Sequence, residues 1–385
     1  WIVLFASLAL TLVGVYAINL TSGVEGGGIS GYALKQIVLM TVALVAGACV
    51  AFPHYRWINY FAWPAAWVCV GLLIFLLIPF VPDVIVTPRN GARRWINLLV
   101  TDLQPSEVTK VVFVLVTARY LQYRSNYRTY RGLILPAAIA FVPMALILVE
   151  PDLGTALIFM PVLVAMLIAA GAKIHHLVLI GTAGALFAGA VVGLSLVFAQ
   201  QDQYPLLRPH QVERIEAVID QFQGDERHQS DRGFQGKQAI TLFGSGGVAG
   251  HGEGRARALI AFSALPERHN DMIFAVLGNR FGFTGAVVVV GLYCVWIGGA
   301  FVVSVRCRDP FGRLIVVGLA TIVGTQMVIN MGMTMGLLPI TGMTLPFVSY
   351  GGSSLVVGYM MVGLVMSVAM RRPPRLWRDS FEWDA

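Results

Sequence analysis

Long apolar runs separated by short polar breaks occupy most of the chain. Crossing a ~30 Å hydrocarbon layer takes ~20 predominantly apolar residues in a helix, because backbone polar groups find no water there. The runs are too long and too continuously apolar for barrel strands. The pattern predicts ten helical spans, at residues 1 to 19, 32 to 52, 58 to 79, 107 to 123, 132 to 149, 153 to 171, 174 to 198, 272 to 303, 313 to 335 and 345 to 370. The eighth is long enough to tilt or to include an interfacial turn. Residues 200 to 271 break the pattern as a polar excursion before that span. Within it, the stretch from Arg208 to Phe222 places Val212, Ile215, Val218 and Ile219 at helical spacing and predicts a short amphipathic helix. The glycine-rich "LFGSGGVAGHGEGRARA" after it suits a tight re-entrant turn. It is not read as a phosphate loop, lacking both a GKS or GKT ending and a preceding strand. The expected fold is an all-α polytopic integral membrane protein, a single transmembrane domain over 1–385 with a large extracytoplasmic loop at 200–271.

Composition agrees. Charged residues make up 12% of the chain, against ~25% in soluble domains, and 57% of residues are hydrophobic. That is too little charge to coat a water-soluble surface and too much apolar content for a disordered chain. The net charge of +7 raises nucleic acid as a partner, but the 27 Lys and Arg form no stripe or arm and no binding motif accompanies them. They mark topology instead. With a cytoplasmic N-terminus, the inside segments hold thirteen Lys and Arg, led by Arg119, Arg124, Arg128 and Arg131, whereas the short outside segments hold Lys35, Arg89, Arg93 and Arg94. Both termini are then cytoplasmic, and the basic tail from Arg371 to Arg378 suits anionic membrane lipids. Four scattered cysteines frame neither zinc nor a redox dithiol.

Charge inside or at the edge of a span needs a partner or a task. Glu107 and Lys110, three residues apart at the start of the fourth span, can pair on one helical face, either as a structural ion pair or as a charged wall of a lipid-substrate cavity entered from the same edge by Arg93 and Arg94. At "EPDLGT", Glu150 and Asp152 flank Pro151, and local helix capping explains much of the cluster. Glu267, Arg268, His269 and Asp271 arrive just before the eighth span. Asp271 reads two ways, as the N-cap of that helix or as a catalytic carboxylate. Asn330 to Ser354 mixes glycine, proline and hydroxyls and predicts a turn and an irregular helix start facing protein or cavity. Ser349, Tyr350, Ser353 and Ser354 there are packing contacts or substrate contacts. The chain has no complete serine or cysteine triad, no zinc-spaced histidines and no nucleotide fingerprint, so no nucleotide cofactor is expected.

These stretches resemble the SEDS family (shape, elongation, division and sporulation proteins), the polytopic peptidoglycan glycosyltransferases that include RodA and FtsW. The matching segments run in family order: "GARRWI" at Gly91 to Ile96, "QPSEVTK" at Gln104 to Lys110, "EPDLGTA" at Glu150 to Ala156, "GSGGVAGHG" at Gly244 to Gly252, "LPERHNDMIFAVLGNRFGF" at Leu265 to Phe283 and "GLLPITGMTLPFVSYGGSS" at Gly336 to Ser354. "NMGMTMGLLPITG" resembles the RodA branch more than FtsW. The resemblance implies ten transmembrane helices and polymerisation of lipid II, the undecaprenyl-pyrophosphate-linked disaccharide pentapeptide, on the outer face of the bacterial cytoplasmic membrane. It places the family's essential aspartate on Asp271 and its helix-four Glu and Lys on Glu107 and Lys110, the lysine positioned to pair with that aspartate. The family's usual histidine, threonine, aspartate reads His269, Asn270, Asp271 here, and Glu150 stands where glutamine is frequent. Implied partners are lipid II and the growing lipid-linked glycan, a class B penicillin-binding protein and other elongation-complex proteins.

Glycan polymerisation needs a base for the acceptor 4-hydroxyl and positive charge for the departing lipid pyrophosphate. Asp271 is the expected base, with Lys110 and the external arginines Arg93, Arg94 and Arg268 as orienting or pyrophosphate-holding groups, Glu107 in the catalytic set as the partner of Lys110, and His269, Ser349 and Tyr350 beside the substrate. A divalent cation, Mg2+ or Mn2+, is the one cofactor this chemistry invites, although the sequence shows no self-evident metal cage. A lipid-linked precursor flippase and a non-catalytic scaffold of the cell-wall machinery are the competing classes. An acidic centre at the outer interface, with no comparable charged path through the inner half, separates the enzyme from the flippase.

Overall fold

In the computed structural model, the structure describes residues 1–21, 28–78, 80–82, 84–89, 92–97, 102–124, 126–199, 231–263 and 265–371. The chain order is α1 (Ile2–Thr21), α2 (Gly31–Ala51), α3 (Tyr55–Leu77), β1 (Val86–Arg89), β2 (Ala92–Asn97), β3 (Asp102–Leu103), α4 (Pro105–Gln122), α5 (Ile134–Val149), α6 (Leu153–Ala170), α7 (Ile174–Ala199), α8 (Asp231–Ser245), α9 (Glu253–Phe262), α10 (Ile273–Arg306), α11 (Pro310–Thr334) and α12 (Gly352–Met370). Among the described residues, eight helices are long and apolar enough to cross a membrane: α1, α2, α3, α5, α6, α10, α11 and α12. The chain is therefore an all-α multi-pass membrane protein. α4 and α7 stand where the fourth and seventh expected spans were placed. The amphipathic helix expected from Arg208 to Phe222 lies outside the described residues.

Burial sorts the helices into an inner and an outer set. On α4, fourteen of eighteen residues are buried, including Ser106, Glu107, Thr109 and Lys110. α12 is buried along most of its length as well. By contrast, α2 exposes Val38, Val42 and Val45, α3 exposes Trp57, Phe61 and Trp67, and α5 exposes Phe141, Val142 and Leu148. Exposed apolar faces of this size match contact with hydrocarbon. Hydroxyls tie the inner helices where no hydrophobic driving force separates protein from lipid. Trp296 Nε1 donates to Ser7 Oγ at 2.8 Å, and Thr11 and Tyr359 share a hydrogen bond of 3.0 Å, joining α1 to α10 and α12.

Three local features differ from, or sharpen, the sequence pattern. Between α3 and α4 the chain forms a three-stranded antiparallel sheet in the order β1-β2-β3, pairing Val86 with Ile96 and Asn97 with Asp102. Strands of two to six residues leave too short an alternation to be seen in the sequence. The eighth span breaks at Gly282, whose φ of 66° and ψ of −161° suit glycine. There the glycine-rich turn locks in: Phe283 N donates to Gly247 O at 2.9 Å, and His251 N to Asn279 O at 3.2 Å. A Cβ on Gly282 would collide with Gly250 N and Val248 O. The last helix starts at Gly352 rather than 345, because residues 335–351 form an irregular loop closed by its own bonds, such as Leu345 N to Ser349 Oγ at 2.8 Å.

Helix alternation puts the C-terminal ends of α1, α3, α5 and α11 and the N-terminal ends of α2, α4, α6, α10 and α12 at one end of the bundle. The opposite end gathers basic groups: Arg56 pairs with Asp309 at 3.3 Å, and Arg371 donates to Ala51 O at 3.0 Å.

Candidate active site

Asp271 lies in the turn before α10, half-buried, at the end where the irregular loop 335–351 folds over the bundle. The N-cap position of α10 falls on Met272, without a side-chain capping bond, rather than on Asp271. Its backbone is instead gripped at three successive carbonyls. Tyr350 N donates to His269 O at 2.9 Å, Ser349 Oγ donates to Asn270 O at 2.6 Å, and Asn330 Nδ2 donates to Asp271 O at 2.7 Å. Asn330 Nδ2 also donates to Met343 O at 2.6 Å, so one wholly buried amide joins the aspartate to the irregular loop. The carboxylate itself lies beside Gly342: Asp271 Oδ2 is 3.7 Å from where a Cβ on that glycine would sit, at a backbone φ of 73°.

Residues 267–270 form a tight turn. Asn270 N donates to Glu267 O at 2.9 Å, the Asn270 amide donates to the Glu267 carboxylate, and Glu267 adopts a left-handed φ of 51°. Arg268 Nη1 donates to Ile260 O at 3.0 Å and so ties this turn to α9. The His269 imidazole packs against Tyr32 and Tyr350, with ring centroids 5.0 and 5.6 Å away. Burial lowers its pKa below the usual 6.5; Glu267 pulls it back up and Arg268 pushes it down, so the ring is neutral at pH 7.

Across the same loop lies the second charged group. Lys110 Nζ and Glu107 Oε1 are 2.7 Å apart and both residues are buried, which is the local pairing that their spacing offered. Asp152 caps α6 through Thr155 N at 3.3 Å and accepts from Thr155 Oγ1 at 2.9 Å and Gln104 Nε2 at 3.1 Å, which makes capping its role. Arg94 Nε donates to Glu150 O at 3.0 Å, a second nitrogen reaches Pro151 O, and Nη1 is 4.0 Å from Asp152. Arg93 donates to Ile78 O at 3.4 Å and to Val81 O. Both arginines thus lash β2 to neighbouring backbone. Burial and the Asp152 carboxylate, opposed by Arg94, push the Glu150 carboxyl up to about 8. The two groups meet through the irregular loop: a Cβ on Gly154, just past Asp152, would sit 3.2 Å from Thr341 O, the neighbour of Gly342.

The structure therefore brings Asp271, His269, Ser349 and Tyr350 together, with Arg268 in the same turn, whereas Glu107 and Lys110 pair with each other and Arg94 is held at residues 150–152. Asn330 and Tyr32 join the first set without having stood out in the sequence. Asn330 acts on backbone carbonyls, which carry no sequence signal, and Tyr32 comes from a distant helix start. Among the described residues no group of three or more His, Cys, Asp or Glu could hold a metal ion.

Comparison with known proteins places this arrangement. Residues 1–373 match the family model of FtsW, RodA and SpoVE, described as cell cycle protein. The stage V sporulation protein E of Bacillus subtilis is 34% identical over 304 residues, covering 78% of this chain and 77% of that protein. The probable peptidoglycan glycosyltransferase FtsW of Geobacter sp. is 32% identical over 380 residues, 96% of each chain. Among solved structures, a chain from a peptidoglycan synthase complex, reported for its coordination of polymerization and crosslinking, aligns with a TM-score of 0.77 at 27% identity over 96% of each chain. The Thermus thermophilus rod shape determining protein RodA aligns with a TM-score of 0.67 at 25% identity over 97% of each chain. The chain belongs to the FtsW/RodA branch of the SEDS family.

Proposed function

We propose that this protein is a peptidoglycan glycosyltransferase that polymerises lipid II into β-1,4-linked glycan, with Asp271 as its base. The observation that carries the reading is the grip on residues 269–271, which fixes one carboxylate beside the glycine turn of the irregular loop. Such fixing is what a general base requires. The Asp271 carboxylate takes the proton of the acceptor 4-hydroxyl as that oxygen bonds to the donor anomeric carbon. The bond from that carbon to the lipid pyrophosphate breaks, and attack from the face opposite an α-linked leaving group inverts it to β. Arg268, in the same turn as Asp271, and the buried Glu107–Lys110 pair are the candidates for orienting the base or holding the leaving pyrophosphate, and Arg93 and Arg94 hold the sheet in place.

Sidedness rests on the basic residues. Arg56, Arg128, Lys173, Arg306 and Arg371 all fall at the end opposite Asp271, which supports reading that end as cytoplasmic, with both termini on that side and the site outside. Counting α4 and α7 as crossings gives ten spans in a single transmembrane domain with an external loop over 200–271. A class B penicillin-binding protein is the partner supported by the peptidoglycan synthase relative. Assignment to the RodA branch rests on "NMGMTMGLLPITG"; complementation of RodA-depleted against FtsW-depleted cells decides it, since relatives carry both names.

The direct experiment is purified Asp271→Asn given lipid II, alone and with the cognate transpeptidase. Removing a general base lowers turnover about 100-fold or more. Normal glycan synthesis by folded mutant protein would overturn the base assignment.

A further inference from the structure

Beside the gripped turn is a cavity of about 510 Å³, lined by Tyr32, Leu265, Glu267, Arg268 and His269 together with Thr21 and Ala261. This volume is within the ~300–1,000 Å³ typical of small-molecule sites. Its wall combines aromatic faces with hydrogen-bonding groups that the protein does not use. The phenol of Tyr32 and the imidazole of His269 make no hydrogen bond among the described residues. Tyr32 is braced on one side by His269 at 5.0 Å and met edge-on by Tyr350 at 5.4 Å, yet keeps 51% of its surface exposed. Among the described lining residues the opposite charges of Glu267 and Arg268 compensate, so these offer no excess of positive charge with which to hold a pyrophosphate. Its polar groups equally disfavour a lipid tail.

We propose that this cavity is a saccharide subsite next to the reacting carboxylate, in which the Tyr32 ring stacks on a hexosamine ring of the glycan and Glu267, Arg268 and His269 bond its hydroxyl and amide groups. This rests on the glycosyltransferase reading, and it adds what that reading lacks: a place for a sugar other than the two that react. A polymerase that released its strand after each addition would make only short products, and a neutral aromatic site retains glycan without trapping the anionic leaving group. Tyr32, from the first turn of α2, is the residue that defines it.

The test is binding of lipid-free glycan oligomers of defined length to the full chain in detergent, read by saturation-transfer NMR, with inorganic pyrophosphate as competitor. Tyr32→Ala is expected to weaken glycan binding about tenfold, as loss of a ring contact does. Tyr32→Phe, which keeps the ring and loses only the phenol hydroxyl, should retain most of the binding that Tyr32→Ala loses, and this pair separates stacking from misfolding. Pyrophosphate should not displace the oligomer, and the glycan made by Tyr32→Ala from lipid II should be shorter. Unchanged binding by Tyr32→Ala, or displacement by pyrophosphate, would overturn the subsite. Lipid II polymerisation by the wild type, run in parallel, tests the other reading separately. Polymerisation with Tyr32-independent binding sinks the subsite alone, whereas Tyr32-dependent glycan binding without polymerisation supports the subsite and sinks the enzyme.

Discussion

Asn330→Ala removes the amide that joins Asp271 to the irregular loop, and its cost can be worked from the bonds it makes. The side chain is wholly buried and donates to Asp271 O at 2.7 Å and to Met343 O at 2.6 Å. Alanine leaves both carbonyls without that donor in a space that was filled by the amide. A buried acceptor stripped of its partner costs ~1–3 kcal/mol, which applies to the buried Met343 carbonyl, and the part-buried Asp271 carbonyl adds less because water can reach it. Part of that appears as lost stability, and part is relieved by letting residue 271 drift from Gly342. Displacement of a catalytic group by ~1 Å can cost about 100-fold in rate. The expected result is a thermal unfolding midpoint lowered by several degrees in detergent, with lipid II polymerisation reduced at saturating substrate. Asn330→Asp separates shape from bonding. It is nearly isosteric but, when ionised, donates nothing and faces two carbonyls, so it should be no better than alanine. If Asn330→Ala retained both the wild-type unfolding midpoint and the wild-type turnover, the clamp would have no role.

Two further outcomes follow from backbone geometry and buried charge. Gly282→Ala forces a side chain into a φ of 66° and ψ of −161° and into Gly250 N and Val248 O; strain of this kind costs ~1–3 kcal/mol before the clash is counted. Its unfolding midpoint should fall clearly, while that of Gly291→Ala, on the same helix with nothing within 4 Å, should not. For Glu150, the folded pKa of about 8 lies above the usual 4.5, so the folded state binds the proton more tightly, and this contribution to stability is complete below about pH 4.5 and lost as pH rises through about 8. Glu150→Gln resembles the protonated form, and its unfolding midpoint should vary less than the wild type's across that window.

What could be read from the sequence was what depends on local composition. Apolar length marked the spans, the spacing of Glu107 and Lys110 announced their ion pair, and Asp152 beside Pro151 announced a helix start. Asp271 stood out because a carboxylate beside a long apolar run is rare. What escaped depends on partners far along the chain. Arg94 looked as available to a phosphate as any exposed arginine, yet its guanidinium is turned onto the carbonyls of residues 150 and 151, and backbone carbonyls occur at every position alike. Asn330 was hidden for the same reason, inside a run of methionines and glycines. Tyr32 sits 237 positions before His269 (269 − 32), and only the meeting of α2 with the turn before α10 makes the pair visible.

The contrast between two aspartates at the same end of the bundle bears on which one does chemistry. Asp152 is held by its carboxylate, which accepts from a backbone N–H and from the side chains of Thr155 and Gln104. Those bonds hold the side chain at the start of α6, where a capping carboxylate belongs. Asp271 is held by its backbone, through the carbonyls of residues 269, 270 and 271. Those bonds fix where the main chain stands and so set the point from which its side chain extends. A general base has to hold its position before the reaction, and a main chain gripped at three successive carbonyls meets that demand. By that criterion Asp152 is engaged in holding α6 in place, and the proposed base role of Asp271 draws its support from the fixed position of its main chain.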